Sequence, residues 1–371
     1  MGKQLVLVGG GHAHMMALAG IHDFVAQGHE VTVIGPSDYH YYSGMGPGML
    51  GGFYAPEDIR FATRQVVEKQ GGRFICDKAV RVDPAEKIVY TASGEAVPYD
   101  VVSFNAGSQV PTPDIEGEQD TVYTVKPIER LQEARDRILS FLSEKPLCIG
   151  VVGGGPSSIE IAGNVWRLCQ SGKHAAEITI YAGSALMTGF SEGIRTRARR
   201  SLAGRGIRIL EGRRVSRITD GNLVLESGES DALDFIFLGL GVTPGALFRD
   251  SGLPTGPDGG LLVNRHLQCT AYPEIFGGGD CIHFQDRPLN RVGVYAVRQN
   301  PVLVHNLSAQ LDGGVLHPFD PGGDYLLIFN LGDGTGIFSK KWITFGGRLA
   351  FTIKDYIDRK FMKKFQALEL E

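Results

Sequence analysis

Two stretches of the chain, QLVLVGGGHAHMMALAGI (4–21) and LCIGVVGGGPSSIEIAGNV (147–165), carry the same pattern. In each, an apolar run ends in three glycines and passes directly into a helical pattern. This order is typical of a buried parallel strand that feeds a helix, with the glycine turn between them holding the pyrophosphate of a dinucleotide. Because the pattern occurs twice, the sequence predicts two dinucleotide sites, as needed by a redox enzyme that passes electrons between nucleotide cofactors.

The composition indicates a soluble enzyme. The 371 residues are enough for two or three domains. The 37 basic residues nearly balance the 41 acidic residues, so we expect no nucleic-acid partner. No apolar run is long enough to span a bilayer. The chain begins Met-Gly-Lys directly before a core strand, and we therefore expect no signal peptide and a cytoplasmic location.

The five cysteines are scattered and form no CxxC, CxxxxC or zinc-type spacing. We therefore predict reduced thiols, no metal site and no redox-active disulfide. Cys281, which follows Asp280 in a glycine-rich turn, is expected to be structural.

After each glycine turn the elements follow in the same order: helix, second strand, β-meander and return strand. Pro111, Pro113 and Gly117 mark the crossing between the two units. We predict an α/β fold with two three-layer, Rossmann-like dinucleotide-binding domains that carry β-meander inserts, and a small C-terminal region. The predicted divisions are 1–110 with 245–320, 111–244, and 321–371, the last as an interface or membrane-surface region.

The first glycine motif departs from the dinucleotide pattern at its third position. Gly9 and Gly11 permit the tight turn and the close approach of backbone to pyrophosphate. The third position, which is glycine in the pattern, is His14. Two hypotheses stay open for His12 and His14: they touch the phosphates, or they pack in the core.

The second glycine motif contains a carboxylate on the first turns of its helix. Gly153 and Gly155 supply the turn, and Ser158 is small enough for close packing of helix and strand. A buried carboxylate is costly unless it is paired. Glu160 therefore either faces the nicotinamide side of a cleft or lies on a solvated helix face.

Neither unit has the acidic residue that would bind a nucleotide ribose after the second strand. The first unit offers Ser37 or Asp38, and the second reads Ala182-Gly183-Ser184. The sequence therefore does not discriminate between NADH and NADPH.

A loop rich in rings and glycines, YHYYSGMGPG (39–48), follows the second strand of the first unit. Loops that carry function present such residues on a rigid scaffold. The alternative is an aromatic turn that caps the core.

The motifs GGGHAH (9–14), FNAGS (104–108), VVGGGPSSIEIAG (151–163), LGLGVTP (238–244) and IFGGGD (275–280) occur in this order. Together they resemble the FAD-dependent pyridine nucleotide-disulfide oxidoreductase superfamily. Within it, the chain is similar to the branch of type II NADH dehydrogenases, sulfide:quinone oxidoreductases and flavocytochrome c sulfide dehydrogenases. The segments YYSGMGPGMLGGFY (41–54), VKPIERL (125–131), VYAVRQNPVLVHNL (294–307) and KDYIDRKFMKKF (354–365) resemble the flavoprotein domain found fused to selenide, water dikinase.

This resemblance implies a non-covalent FAD, because the cysteine that tethers flavin in flavocytochrome c is missing near Tyr42-Ser43. Gly9, Gly11 and His12 would meet the pyrophosphate, Val80 the adenine through its backbone, and Asp280 the ribityl chain. The full set of implied cofactor-binding residues is Gly9, Gly11, His12, Ala13, His14, Ser37, Tyr42, Ser43, Val80, Asn105, Ala106, Gly107, Gly153, Gly155, Gly241, Gly279 and Asp280.

The resemblance also implies four residues that act in the reaction. Lys126 would place a fixed cation beside the flavin, and Glu160 would lie near the nicotinamide of NAD(P)H. Tyr295 and Gln299 fall where type II NADH dehydrogenases carry two quinone-site glutamines, and Tyr295 departs from that pattern. The cysteines that carry polysulfide in sulfide:quinone oxidoreductases have no counterpart here, which disfavours sulfide chemistry.

A basic amphipathic helix is predicted at 348–365. Its apolar stripe contains Leu349, Ile353, Tyr356, Ile357, Phe361 and Phe365, and its basic residues are Lys354, Arg359, Lys360, Lys363 and Lys364. Such a helix lies on an anionic membrane surface, or it packs on the protein body or in a homodimer interface.

The leading functional hypothesis is an NAD(P)H dehydrogenase that passes electrons through FAD to a quinone-like acceptor. Its partners would be a small-molecule electron donor and acceptor, with peripheral contact to the inner face of the cell membrane. Two alternatives stay open: a sulfide or selenide oxidoreductase, and a flavin-bearing partner or sensor in selenium metabolism whose nicotinamide site is vestigial.

Overall fold

The computed structural model describes residues 2–116 and 120–369. The first glycine turn follows the central strand of a five-stranded parallel sheet. The order of its strands across the sheet is Ile275–Gly277, Val101–Phe104, Gln4–Val8, Glu30–Gly35 and Arg73–Cys76. Every side chain of the return strand Val101–Phe104 is buried, as expected for a parallel strand covered on both faces.

A second parallel sheet of five strands repeats this arrangement around the second glycine turn. The order of its strands is Val122–Thr124, Phe235–Leu238, Leu147–Val152, Ala176–Ala182 and Arg208–Glu211. Each parallel sheet has an adjoining meander. The first consists of Ala79–Asp83, Ile88–Thr91 and Ala96–Pro98, and the second of Val215–Thr219, Asn222–Leu225 and Ser230–Ala232. Asp114–Glu116 adds a parallel edge strand to the second meander. The predicted α/β class with two Rossmann-like units is confirmed.

The apolar periodicity after the first glycine turn predicts one helix from about Ala13 to Ala26, but the structure breaks this helix. A 3₁₀ turn, His12–His14, leads into two short helices, Met15–Ala19 and Ile21–Ala26. The break is at Gly20, whose backbone is non-helical (φ −111°, ψ 24°). Glycine is a poor helix former because it loses more backbone freedom than other residues.

Further helices and short strands connect and cover the sheets. The other α-helices are Gly46–Leu50, Thr63–Lys69, Glu129–Phe141, Pro156–Cys169, Glu192–Ala203, Leu247–Asp250, Gly293–Asp312 and Arg348–Gln366. The other 3₁₀ turns are Ser43–Met45, Pro56–Ile59, Gly279–Cys281 and Ala367–Glu369. Two-stranded ladders join His40–Tyr41 to Arg60–Phe61, and Leu261–Val263 to Ile282–Phe284.

The C-terminal part of the chain packs against the second unit. Strands Leu327–Asn330, Gly336–Lys340 and Ile343–Gly347 form an antiparallel sheet that precedes the helix Arg348–Gln366. Phe329, Ile337, Met362 and Phe365 belong to the same hydrophobic core as the second parallel sheet. The domain divisions stay a prediction, and Gly117 lies outside the described residues. No helix among those described is long and apolar enough to cross a membrane.

Candidate functional site

The first glycine turn lies directly against Asn105, at the end of the neighbouring return strand. A Cβ on Gly9 would lie 2.2 Å from the Asn105 carbonyl oxygen, and one on Gly11 would lie 2.1 Å from its side-chain Oδ1. Asn105 Oδ1 accepts from the Ala13 N–H (3.3 Å), and Nδ2 donates to the Gly278 carbonyl (2.8 Å). Asn105 therefore joins three segments, and both glycines are required by their close approach to it.

His14 packs in the core. Its ring is fully buried, with Nδ1 2.7 Å from the Gly9 carbonyl oxygen and Nε2 2.8 Å from Ser103 Oγ. Nδ1 thus donates to the carbonyl, and Nε2 accepts from the hydroxyl. Burial lowers the pKa of His14 to about 4. Both ring nitrogens are used inside the fold, which favours the packing hypothesis for this position.

His12 lies beside rings from two distant segments. Its ring centroid is 5.0 Å from that of Tyr42 and 5.3 Å from that of Phe361, on which it stacks. Its Nε2 is buried with no hydrogen-bond partner among the described residues. Burial lowers the pKa of His12 to about 4. His12, unlike His14, therefore keeps a polar atom unused by the protein.

Lys126, Ser108 and Asp280 form a polar cluster. Lys126 Nζ lies 2.9 Å from Asp280 Oδ2 and donates to Ser108 Oγ (3.0 Å), which in turn donates to Asp280 (2.9 Å). Burial alone would raise the pKa of Asp280, but the charge and hydrogen bond of Lys126 outweigh it and hold the pKa below its usual value. The structure thus places a paired cation and anion at the turn that contains Gly279.

The helix Gly293–Asp312 supports this same turn. Gln299 is 1 % exposed, and its Oε1 accepts from the Gly279 N–H at 2.7 Å. The Tyr295 ring packs edge-on against that of Tyr325, with 5.4 Å between centroids.

Cys281 donates from Sγ to the carbonyls of Phe104 (3.4 Å) and Gly278 (3.3 Å), and burial raises its pKa to about 12. These contacts make Cys281 a structural thiol.

The second glycine turn is close to protein on one side and open on the other. A Cβ on Gly153 (φ +124°) would lie 2.4 Å from the Gly239 carbonyl oxygen, to which Ser158 Oγ also donates (3.2 Å). A Cβ on Gly155 or Gly241 would meet no heavy atom within 4 Å. The turn thus packs tightly on its own sheet and leaves its outer side accessible.

Glu160 is half-buried against the C-terminal part of the chain, so the solvated-face hypothesis is wrong. Its Oε1 accepts from the Asn330 N–H at 2.7 Å. Burial raises the pKa of Glu160 to about 7, against the opposing charge of Lys354. Lys354 Nζ bonds Asp358 Oδ2 (2.5 Å) and the Gly44 carbonyl (2.8 Å). That Glu160 faces the nicotinamide side of a cleft stays a prediction.

The C-terminal helix differs from its predicted pattern in two ways. Lys354 is not part of an exposed basic face, because its side chain is 11 % exposed and paired with Asp358. The apolar stripe is also divided. Phe365 is buried and Phe361 stacks on His12, whereas Leu349 and Tyr356 are 63 % and 65 % exposed. The helix therefore packs inward and presents apolar side chains outward.

The remaining predicted residues lie at the ends of strands and in loops of the first unit. Asp38 is paired with Arg64 (2.7 Å), and Ser37 Oγ accepts from the Tyr39 N–H (3.3 Å). Val80 is 45 % exposed on its meander strand. Ala106 and Gly107 follow the return strand, and Ser43 begins a 3₁₀ turn. Tyr42 Oη donates to Asp358 Oδ1 at 3.0 Å.

Sequence reasoning missed several residues of this region. Ser108 belongs to the FNAGS motif, so its place beside Asp280 had a local signal. Asp358 also had one, because it lies four residues after Lys354 on the same helix and pairs with it. Asn330 had none, because its backbone reaches Glu160 only through the fold of the C-terminal region.

Comparison with known proteins identifies the family of this chain. Residues 3–310 match the model of the pyridine nucleotide-disulphide oxidoreductase family. The chain belongs to this family. The narrower resemblance to the flavoprotein domain fused to selenide, water dikinase stays a prediction.

Two relatives are similar to most of this chain. A type II NADH:quinone oxidoreductase of Staphylococcus saprophyticus is 23 % identical, covering 99 % of this chain and 97 % of that protein. Ferroptosis suppressor protein 1 of Taeniopygia guttata is 27 % identical, covering 80 % of this chain and 79 % of that protein.

Two solved structures share the fold. NDH2 of Plasmodium falciparum, in complex with NADH, has a TM-score of 0.84 at 15 % identity and covers 100 % of this chain and 97 % of that chain. The sulfide:quinone oxidoreductase of Aquifex aeolicus has a TM-score of 0.78 at 17 % identity and covers 99 % and 92 %.

Proposed function

We propose that this family member is an NAD(P)H dehydrogenase that passes electrons through non-covalent FAD to a quinone-like acceptor. The observation that carries the proposal is the pair of glycine turns, each at the carboxyl end of the central strand of its own parallel sheet. Ligands of open α/β sheets bind at this end of the strands. The near-complete coverage of a type II NADH:quinone oxidoreductase supports the same assignment.

The residues at the first turn fit FAD. The unpartnered, buried Nε2 of His12 suits an oxygen-rich ligand such as a diphosphate, because buried polar atoms are normally hydrogen-bonded. Gly9 and Gly11 bring the backbone close, and Asp280 offers carboxylate oxygens for ribityl hydroxyls. When bound, FAD accepts a hydride equivalent from NAD(P)H and releases the two electrons to an acceptor. Lys126 would hold positive charge beside it.

Reduction of a quinone by NAD(P)H consumes one proton beyond the transferred hydride, since NAD(P)H + H⁺ + quinone yields NAD(P)⁺ + quinol. Glu160 is suited to hold that proton. Its pKa of about 7 lets it be protonated or ionised near neutral pH. The charge of Lys354 acts on Glu160, and Lys354 also bonds Asp358, which accepts from Tyr42. The Tyr42 ring in turn contacts that of His12.

Glu160→Gln should abolish the fall in the rate of quinone reduction above about pH 7. Glu160 is protonated below about pH 7 and ionised above it. A proton donor of this kind makes turnover fall as pH rises through that value. Gln keeps an oxygen to accept from the Asn330 N–H, so the fold should persist. We expect slower flavin reoxidation by a soluble quinone without this alkaline limb, measured by stopped flow from pH 5.5 to 9. An unchanged pH profile would contradict the role.

The exposed apolar side chains near the C-terminus support peripheral membrane contact. Trp342 is 86 % exposed, and Leu349 and Tyr356 are exposed on the following helix. Lys360, Lys363 and Lys364 are exposed on the same helix. Aromatic and basic side chains around an apolar face favour the interface of an anionic membrane. A homodimer is the alternative, and the liposome experiment described below separates the two.

Anaerobic reduction of the bound flavin tests the function. We expect NADH or NADPH to bleach the flavin of the purified protein, and a soluble quinone to restore it. Bleaching by sulfide or selenide alone would favour the alternative oxidoreductase. No bleaching by any of these donors would favour a flavoprotein partner or sensor with a vestigial nicotinamide site. Denaturation should release FAD itself, and a protein that takes up no FAD would contradict the proposal.

A further inference from the structure

We propose that Thr63 and His40, with His12, form a side-chain cradle for the FAD diphosphate at the first glycine turn. The inference rests on the proposed function and adds two residues to it. Each of the three side chains has a buried polar atom with no hydrogen-bond partner among the described residues: Thr63 Oγ1, His40 Nε2 and His12 Nε2. Such atoms are uncommon in folded proteins, and three together indicate a polar ligand.

Thr63 and His40 lie beside the middle glycine of the turn, and the His12 ring contacts that of His40. A Cβ on Gly10 would lie 3.3 Å from Thr63 Oγ1 and 3.8 Å from the Cβ of His40. The rings of His12 and His40 are 5.9 Å apart and nearly perpendicular. Thr63 is only 4 % exposed, so its hydroxyl is directed into the protein at this turn. A glycine here keeps the space between the turn and Thr63 open.

The fold brings His40 and Thr63 together through a short ladder. His40 pairs with Phe61, two residues before Thr63 begins its helix. The ion pair of Asp38 with Arg64 (2.7 Å), and the hydrogen bond from the Arg64 N–H to the Asp38 carbonyl (3.1 Å), tie the same segments together. These contacts fix the segments that carry His40 and Thr63 relative to each other.

The chemistry of the cradle suits a diphosphate. Burial lowers the pKa of His40 to about 3, with smaller contributions from the charges of His12 and Lys126, so the ring is neutral at pH 7. A neutral imidazole with its proton on Nε2 is a hydrogen-bond donor, and so is the Thr63 hydroxyl. Phosphate oxygens accept such bonds strongly because they are charged. An apolar ligand would leave all three atoms unpaired.

Thr63→Val is the decisive variant, because it removes the hydroxyl and nearly preserves the shape. We expect FAD affinity to fall about tenfold, as for loss of one hydrogen bond to a charged group. Without FAD, the melting temperature should stay equal or rise, because an unpaired buried hydroxyl is removed. His40→Phe should also weaken FAD binding, and His40→Gln, which keeps an amide N–H near the position of Nε2, should recover part of it.

Tyr99→Phe is the matched control. Tyr99 is also buried, and its hydroxyl also lacks a partner among the described residues, but it follows the meander of the first unit. Its removal should leave FAD affinity unchanged. The measurements are flavin fluorescence on dilution of the full-length holoprotein and melting curves with and without FAD.

The outcomes separate the cradle from the proposed function. If the wild type binds FAD and Thr63→Val and His40→Phe bind it equally well, the cradle is wrong and the proposed function stands. If Thr63→Val melts lower without FAD and releases FAD at the wild-type rate, Thr63 is structural and the cradle is also wrong. If the wild type takes up no FAD, both fail.

Discussion

At the scale of single residues, Lys126 is the side chain proposed to place a positive charge beside the flavin. It contacts Asp280 and Ser108, and its side chain is 26 % exposed, so it is a partly desolvated cation. Lys126→Met should slow reduction of the bound flavin by about tenfold or more and lower its reduction potential, because fixed positive charge stabilises the reduced ring. Stopped-flow reduction and a potential titration measure this.

Lys126→Arg should keep much of the rate, because the positive charge remains. Lys145→Met is a matched control, since Lys145 pairs with Asp234 (2.5 Å) at an exposed position just before the strand Leu147–Val152. It should leave reduction unchanged. Normal reduction and reoxidation of Lys126→Met would place this lysine away from the flavin.

At the scale of elements, the C-terminal helix has two faces with different predicted functions. Asp358 and Phe365 hold its inner face, whereas Lys360, Lys363 and Lys364 are exposed. Replacing these three lysines by Gln should weaken binding to anionic liposomes by about 1 kcal/mol per charge, with flavin reduction intact. Vesicle sedimentation at low and high salt measures the effect.

The control is a triple change of the same charge at the start of the meander of the second unit, Arg213, Arg214 and Arg217 to Gln. It should leave liposome binding as in the wild type. If the wild-type protein ignores anionic liposomes at low salt, the outer face of the helix is better explained as a homodimer interface.

At the scale of the whole molecule, buried neutral histidines should make the fold acid-sensitive. The pKa of His14 falls from 6.5 to about 4 on folding. The unfolded chain therefore binds a proton that the folded protein excludes, and stability falls as pH drops from about 6.5 towards 4. The expected loss is on the order of 1 kcal/mol per pH unit for each such histidine. Glu160, with a raised pKa of about 7, has the opposite effect between pH 4.5 and 7.

Urea unfolding at pH 7 and pH 5 tests this balance at equal FAD saturation. Glu160→Gln removes the opposing group, so its loss of stability on acidification should be steeper than that of the wild type. His14→Asn should be less stable at pH 7, because both ring contacts are lost, and its dependence on pH should be shallower. Parallel pH profiles for all three proteins would contradict the assignment.

The sequence by itself determined the two parallel units. Strand, glycine turn and return strand are local patterns, and their backbone conformations depend on residues close in the chain. The positions of Gly9, Gly11, Gly153 and Gly155 were therefore readable without a structure. The break at Gly20 had a local signal too, although the apolar periodicity around it predicted a continuous helix.

Only the tertiary structure decided which side chains are used inside the protein. His12 and His14 are two residues apart and chemically identical. The Nε2 of His14 accepts from Ser103, whereas the Nε2 of His12 has no partner among the described residues. Glu160 meets the Asn330 backbone across 170 positions of chain. Burial and partners at such separations set pKa values and free hydrogen-bonding capacity, and these are properties of three-dimensional packing that no local pattern contains.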